Sequence, residues 1–134
     1  MAFGDHWTDR WLGRPWVEGT YDCVDFVKEV LAEQFGRRLR LPATPASARD
    51  WDRTVANLKA DHGYRTPFPA DGDGVLMMQA GARRQRGYHL GVAVRREGRL
   101  LVLHCPRNGS SVLTPAKDLR AAFQLELEGT YRWL

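Results

Sequence analysis

Residues 88–105 read YHLGVAVRREGRLLVLHC, and their periodicity decides the fold. Glu97-Gly98 is a turn signal set between two runs rich in valine and leucine. The segment therefore predicts two antiparallel strands joined by a tight turn. Successive strand side chains point to opposite faces. Leu90, Val92 and Val94 then share one face, and His89, Gly91 and Ala93 the other. On the return strand Val102 and His104 share a face, with Leu103 and Cys105 opposite. Such a hairpin sets His89 and His104 on the same side. The small residues beside His89 leave room for another element over that face.

Towards the N-terminus the period changes from two to 3.6. Residues 13–36, GRPWVEGTYDCVDFVKEVLAEQFG, place Asp22 as an N-cap, with Asp25 three residues on as a weaker form of the capping box. Cys23, Phe26, Val27, Val30, Leu31 and Gln34 recur at helical spacing, and Gly36 follows as the C′ residue. An earlier helical stretch is expected at about Asp5–Leu12, with Phe3, Trp7 and Trp11 on one stripe and Gly13 as its stop. After the Pro-containing loop 39–47, LRLPATPAS, a third helix is expected at about Ala46–Asp61. Its inward stripe is Trp51, Val55 and Leu58, and Gly63 closes it.

Residues 71–79, DGDGVLMMQ, read as a turn and a buried strand. Asn108-Gly109 marks another turn before a short strand. Pro115 opens a short helix over 115–123, and 124–134, QLELEGTYRWL, closes the sheet. Helices first and an antiparallel sheet afterwards make the α+β pattern. A chain of 134 residues is one domain, 1–134, large enough to bury a core.

The chemistry starts at Cys23. A helix N-terminus presents unpaired N–H groups and partial positive charge, which favour a thiolate over a thiol. If the helix headed by Cys23 covers the His89 face, then nucleophile, base and base-orienter converge as Cys23, His89 and His104. Taken singly, each residue has a plainer role, since cysteine is among the most buried residue types. Their joint placement is what favours catalysis. Cys105 alternates out of phase with His104 and reads as core packing. His6 and His62 read as surface residues.

Other chemistries fit less well. Cys23, His89, His104 and Cys105 are zinc-ligand types, yet no CxxC or HxxxH spacing is present, so no metal and no cofactor is expected. The formal net charge of +4 suits an anionic partner. The densest basic run, ARRQRGYH at 82–89, is short and reads as a solvated loop. Trp7, Trp11 and Trp51 fall on helical core stripes and not on a stacking surface, which argues against nucleic acid. No window approaches the roughly 18 apolar residues of a membrane span. Residues 1–11, MAFGDHWTDRW, lack the apolar stretch of a signal peptide. Two cysteines do not make a disulfide framework.

The quoted segments resemble those of the NlpC family, bacterial papain-like cysteine peptidases of the cell wall. GRPW, then GTYDC opening a helix that ends at Gly36 before Leu41-Pro42, is similar to the family's nucleophile segment. DGDGVLMM resembles its Pro-Gly-Asp-leading strand, YHLGVAV its His-Val-Gly-Ile-Tyr strand, and LLVLHC its Ile-His-Ala strand. Order, separations and the closing GTYRWL are most similar to the short phage-tail members. The resemblance implies a papain-like fold with N-terminal helices packed on an antiparallel sheet. By matching position, Cys23 is the nucleophile, His89 the base and His104 the orienting residue. Asp22, with Trp16 and Tyr21, would line the substrate or oxyanion region. Two departures stand out. Val24-Asp25 replaces the family's frequent Ser-Gly, and Trp16 replaces the tyrosine whose hydroxyl lies near the cysteine, so that Tyr21 is left to supply a hydroxyl if one is used.

The implied reaction is hydrolysis of peptidoglycan stem peptides, typically between D-glutamate and diaminopimelate or lysine. Cytoplasmic synthesis without a signal peptide fits delivery by a phage tail or another export machine, with tail proteins as partners. Two other classes share the resemblance. One is a silent structural or wall-binding tail component. The other is a papain-like amidase or acyltransferase, although the lipid-acting branch usually places its histidine before its cysteine.

Overall fold

The computed structural model describes residues 6–39, 62–80 and 88–134. Six strands form one antiparallel sheet: β1 (Gly63–Arg65), β2 (Gly74–Gln79), β3 (His89–Arg96), β4 (Arg99–His104), β5 (Val112–Pro115) and β6 (Leu125–Trp133). Their spatial order is β1-β6-β2-β3-β4-β5. The described helices are a 3-10 turn at Asp9–Trp11, α1 (Cys23–Phe35), and α2 (Leu119–Phe123) entered through a second 3-10 turn at Ala116–Asp118. The helix expected at about Asp5–Leu12 is thus only a single 3-10 turn among the described residues. The expected helix at about Ala46–Asp61, with Trp51, Val55 and Leu58, lies outside them, as do residues 82–87 of the basic run.

Helix α1 starts where its cap dictates. The Asp22 carboxylate accepts from the N–H groups of Val24 and Asp25 at 3.0 and 3.1 Å, and Asp25 returns a bond to the Asp22 N–H at 3.1 Å. The reciprocal pair satisfies donors that the helix itself leaves unpaired. At the other end Gly36 takes φ 64° and donates to the Leu31 carbonyl, where a Cβ would be strained. Phe26, Val27, Val30 and Leu31 are fully buried at i, i+3 and i+4 spacing, each worth about 1.5–3 kcal/mol of burial.

The hairpin forms as its sequence predicts. Glu97 and Gly98 both have positive φ, 51° and 76°, the turn whose twist matches the flanking strands. Val92 pairs with Leu103 and Arg96 with Arg99. The side on which the helix lies is a correction. Helix α1 packs with Leu90, Val92, Val94, Leu103 and Cys105. The face with Gly91 and Ala93 instead meets Val75, Met77, Val102 and α2 through Leu119. The apolar stripe of α1 covers the face with the larger apolar side chains, because more apolar surface leaves water there. The two histidines therefore project on the α2 side, so α1 does not cover the His89 face and the expected convergence of Cys23 with both rings beneath that helix is not formed.

Two further differences concern the sheet edge. The C-terminal strand β6 does not close the sheet from outside; it runs between β1 and β2, with a bulge opposite Leu76 and Met77. Gly63, expected to end a helix, begins β1, whose three residues pair with Tyr131–Trp133. A Cβ on Gly63 would lie 2.9 Å from the Arg132 carbonyl oxygen, so glycine permits this close pairing.

Candidate active site

Strand register brings the histidines together. Met77 pairs with His89, and extending the β3–β4 pairing by one step sets Gly91 across from His104. His89 is then the diagonal neighbour of His104, within reach for long side chains. His89 Nε2 lies 2.8 Å from His104 Nδ1, and the rings meet edge to face. Gly91 makes this possible. A Cβ there would lie 2.6 Å from Val102 Cγ1 and 3.2 Å from the His104 Cβ.

The chain of polar contacts continues to a residue that sequence reasoning missed. His104 Nε2 lies 3.0 Å from Thr114 Oγ1 on β5. Val102 pairs with Thr114, so Thr114 is the diagonal neighbour of His104 on the same face. Phe123 of α2 sets its ring at 85° to His104, with centroids 5.0 Å apart. His104 is fully buried, and His89 nearly so. A signal for Thr114 was present: after the Asn108-Gly109 turn, alternation puts Val112 and Thr114 on one face.

Burial holds both rings neutral. It lowers the His89 pKa to about 4, with the Asp22 charge opposing the shift, and the His104 pKa to about 3, where repulsion from His89 adds to burial. A charged imidazolium away from water lacks compensating solvation, and this outweighs one carboxylate nearby.

Cys23 occupies the first position of α1, at the end of β3. Its sulfur accepts from the backbone N–H groups of Leu90 and Val24. Leu90 follows His89 in the chain, and the Asp22 charge acts on Cys23, Cys105 and His89 alike, which groups these four residues about one end of the sheet. The expectation of a thiol lowered by the helix N-terminus is corrected. Burial pushes the Cys23 pKa up to about 12, and Asp22 and Cys105 add to the rise. The helix field is worth only about 0.3–1 kcal/mol, and its own cap sets a carboxylate beside the sulfur. Asp25 is shifted upward too, by burial and then by Asp22. Thiol and imidazole are thus both neutral at rest; the structure brings His89 to His104, while the sulfur of Cys23 is met by the backbone N–H groups of Leu90 and Val24 and not by either imidazole.

The remaining expected residues are placed as follows. Asp22 caps α1, and its carboxylate is committed to Val24 and Asp25, outside which lies the Cys23 N–H. Trp16 is half-buried against the α1-side core, with the Arg107 guanidinium carbon 5.8 Å from its ring centroid. Tyr21 does not turn its hydroxyl to the cysteine. It donates to Glu29 Oε2 at 2.8 Å, and Glu29 also pairs with Arg14, whose guanidinium stacks on Trp11. Burial and Glu29 raise the Tyr21 pKa, which keeps the hydroxyl a donor. Cys105 is fully buried in the core, and its thiol donates towards the Arg14 carbonyl at 3.5 Å. His6 is half-buried, with Nδ1 2.8 Å from Thr8 Oγ1.

Among the described residues, no group of three or more His, Cys, Asp or Glu side chains is placed to hold a metal ion. Within the same residues no helix is long and apolar enough to cross a membrane. No family model, curated protein or solved structure matches the chain.

Proposed function

We propose that this chain is a cysteine peptidase of the NlpC type that hydrolyses peptidoglycan stem peptides, at the bond between D-glutamate and the diamino acid. The observation that carries the reading is the buried His89–His104 pair, spanning β3 and β4, together with Leu90, the residue after His89, whose N–H hydrogen-bonds the sulfur of Cys23. A cysteine-headed helix lying on an antiparallel sheet supports the papain-like assignment of the fold. The chemistry is acyl transfer. Since thiol and imidazole are both neutral at rest and lie on opposite faces, the proton passes from Cys23 to His89 round the start of β3, beside Leu90, as the sulfur attacks, and no ion pair stands ready beforehand. The Cys23 N–H, outside the Asp22 cap, is the donor for the developing oxyanion. Protonated His89 then gives its proton to the leaving amine, and water releases the acyl group. Trp16, half-buried and partly open, supplies an apolar wall for substrate. Action at the wall would follow delivery by a phage tail, with tail proteins as partners.

A second reading has its own observation. Cys23 is only 8% exposed, and burial holds its thiol firmly protonated. A silent structural or wall-binding relative would look like this. Digestion of purified walls of both diaminopimelate and lysine type, with products identified by mass spectrometry, separates the two. The peptidase reading expects free N-terminal diamino acid fragments from one chemotype, and none with Cys23→Ala. Intact stem peptides from every wall would favour the silent reading.

A further inference from the structure

Two directions of hydrogen bonding satisfy the row His89, His104, Thr114. In the first, His89 Nε2–H donates to His104 Nδ1, and His104 Nε2–H donates to Thr114 Oγ1. In the second, the Thr114 hydroxyl donates to His104 Nε2, and His104 Nδ1–H donates to His89 Nε2. They differ in what is left on His89. The first leaves Nδ1 with a lone pair, able to take a proton. The second leaves Nδ1 carrying one, so that His89 is no base.

We propose that Thr114 is the positioning residue of the site: by accepting from His104 Nε2–H it sets the direction of the row and keeps His89 Nδ1 as the base. This rests on the peptidase reading for its consequence, though not for its geometry. His104 is fully buried with Phe123 packed against its ring, so its Nε2 has no exposure to solvent. With the hydroxyl gone, an Nε2–H on His104 has no partner among the described residues. A buried orphan donor costs about 1–3 kcal/mol, whereas moving that proton to Nδ1 lets His104 donate to His89 instead. Deleting one hydroxyl therefore reverses the row and moves the His89 proton to the nitrogen that catalysis needs free. The nearby threonine methyl is not required for this, so serine should serve.

The test is the imidazole tautomer, read by long-range ¹H–¹⁵N correlation on ¹⁵N-histidine protein at pH 7.5. Wild type should show both His89 and His104 protonated at Nε2. Thr114→Val should show both protonated at Nδ1, and Thr114→Ser should restore the wild-type pattern. Stem-peptide hydrolysis should follow, with kcat falling at least tenfold in Thr114→Val at unchanged KM, as for partial loss of a general base worth about 10²–10⁴ in rate. An Nδ1–H signal for either ring in wild type overturns the proposal, as does an unchanged pattern in Thr114→Val. If valine prevents folding, Thr114→Ala removes the same hydroxyl with less bulk. A chain that cleaves no wall but shows the expected tautomers and their reversal would sink the peptidase reading and leave the role of Thr114 standing.

Discussion

Gly91→Ala tests whether the sheet face beneath the histidines is filled as described. The backbone of Gly91 is not in the positive-φ region, so alanine is conformationally allowed there. On backbone entropy alone the change would stabilise by about 0.4–1 kcal/mol. Packing reverses the sign. The new methyl would lie 2.6 Å from Val102 Cγ1, 3.1 Å from Met77 Cε and 3.2 Å from the His104 Cβ, against 3.4 Å or more for ordinary contact. Met77 is flexible and can yield, but Val102 is β-branched and fully buried between its neighbours. Overpacking of this kind costs about 1–3 kcal/mol, which leaves a net loss of about 1–2 kcal/mol. For a chain of this length each kcal/mol moves the thermal midpoint by about 3–4 °C, so a fall of about 4–7 °C is expected. The relief available is a shift of His104, which would lengthen its contact with His89 and lower kcat. Gly109→Ala is the control, since its nearest contacts would be 3.5 and 3.6 Å. A midpoint raised or unchanged in Gly91→Ala, with full activity, would refute the packing that sets the two rings together.

Asp22 combines a cap with a charge, and two variants separate them: Asp22→Asn should keep stability, while Asp22→Ala should lose about 0.5–2 kcal/mol by urea titration. Stability should also depend on pH through the two buried rings. Their folded pKa values, about 4 and about 3, lie below the usual histidine value of 6.5, so the unfolded chain binds more protons between those limits. Stability is then full above about pH 6.5 and falls as pH drops towards 4, by at most about 1.4 kcal/mol per pH unit for each ring. Denaturant midpoints at pH 7.5 and 5 should show this, and His104→Gln should weaken the dependence. Iodoacetamide should alkylate folded Cys23 slowly at pH 7, faster as pH rises, and ahead of fully buried Cys105. Equal labelling, mapped by mass spectrometry, would count against Cys23 as the accessible thiol.

Local periodicity made much of the fold legible. The Asp22 cap, the Gly36 stop and the Glu97-Gly98 turn each have a mechanism confined to a few residues, and the structure forms all three. Alternation likewise placed His89 and His104 on one face. What alternation does not carry is which face a helix covers. Gly91 and Ala93 looked like space for α1, but at Gly91 that space holds Val102, Met77 and the Cβ of His104, and α1 lies over Leu90, Val92 and Val94. Strand order was hidden too, since β6 enters between β1 and β2 through pairings 46 to 70 residues apart in the chain. The three-residue β1 is too short to show a period. At the site, Thr114 needed the β4–β5 register, and the partner of the Tyr21 hydroxyl lies two helical turns on at Glu29. The Cys23 pKa was misjudged because the helix N-terminus is visible in sequence and the depth of burial is not.

The central claim is that Cys23 forms the acyl-enzyme with His89 as its base. The direct measurement is intact and peptide-level mass spectrometry of protein quenched in acid during turnover of a synthetic L-Ala-γ-D-Glu-diamino acid peptide. The account predicts an L-Ala-γ-D-Glu acyl group on Cys23, absent in Cys23→Ala and strongly reduced in His89→Ala. Hydrolysis that persists in Cys23→Ala, or an acyl group carried by Cys105 instead, would contradict it.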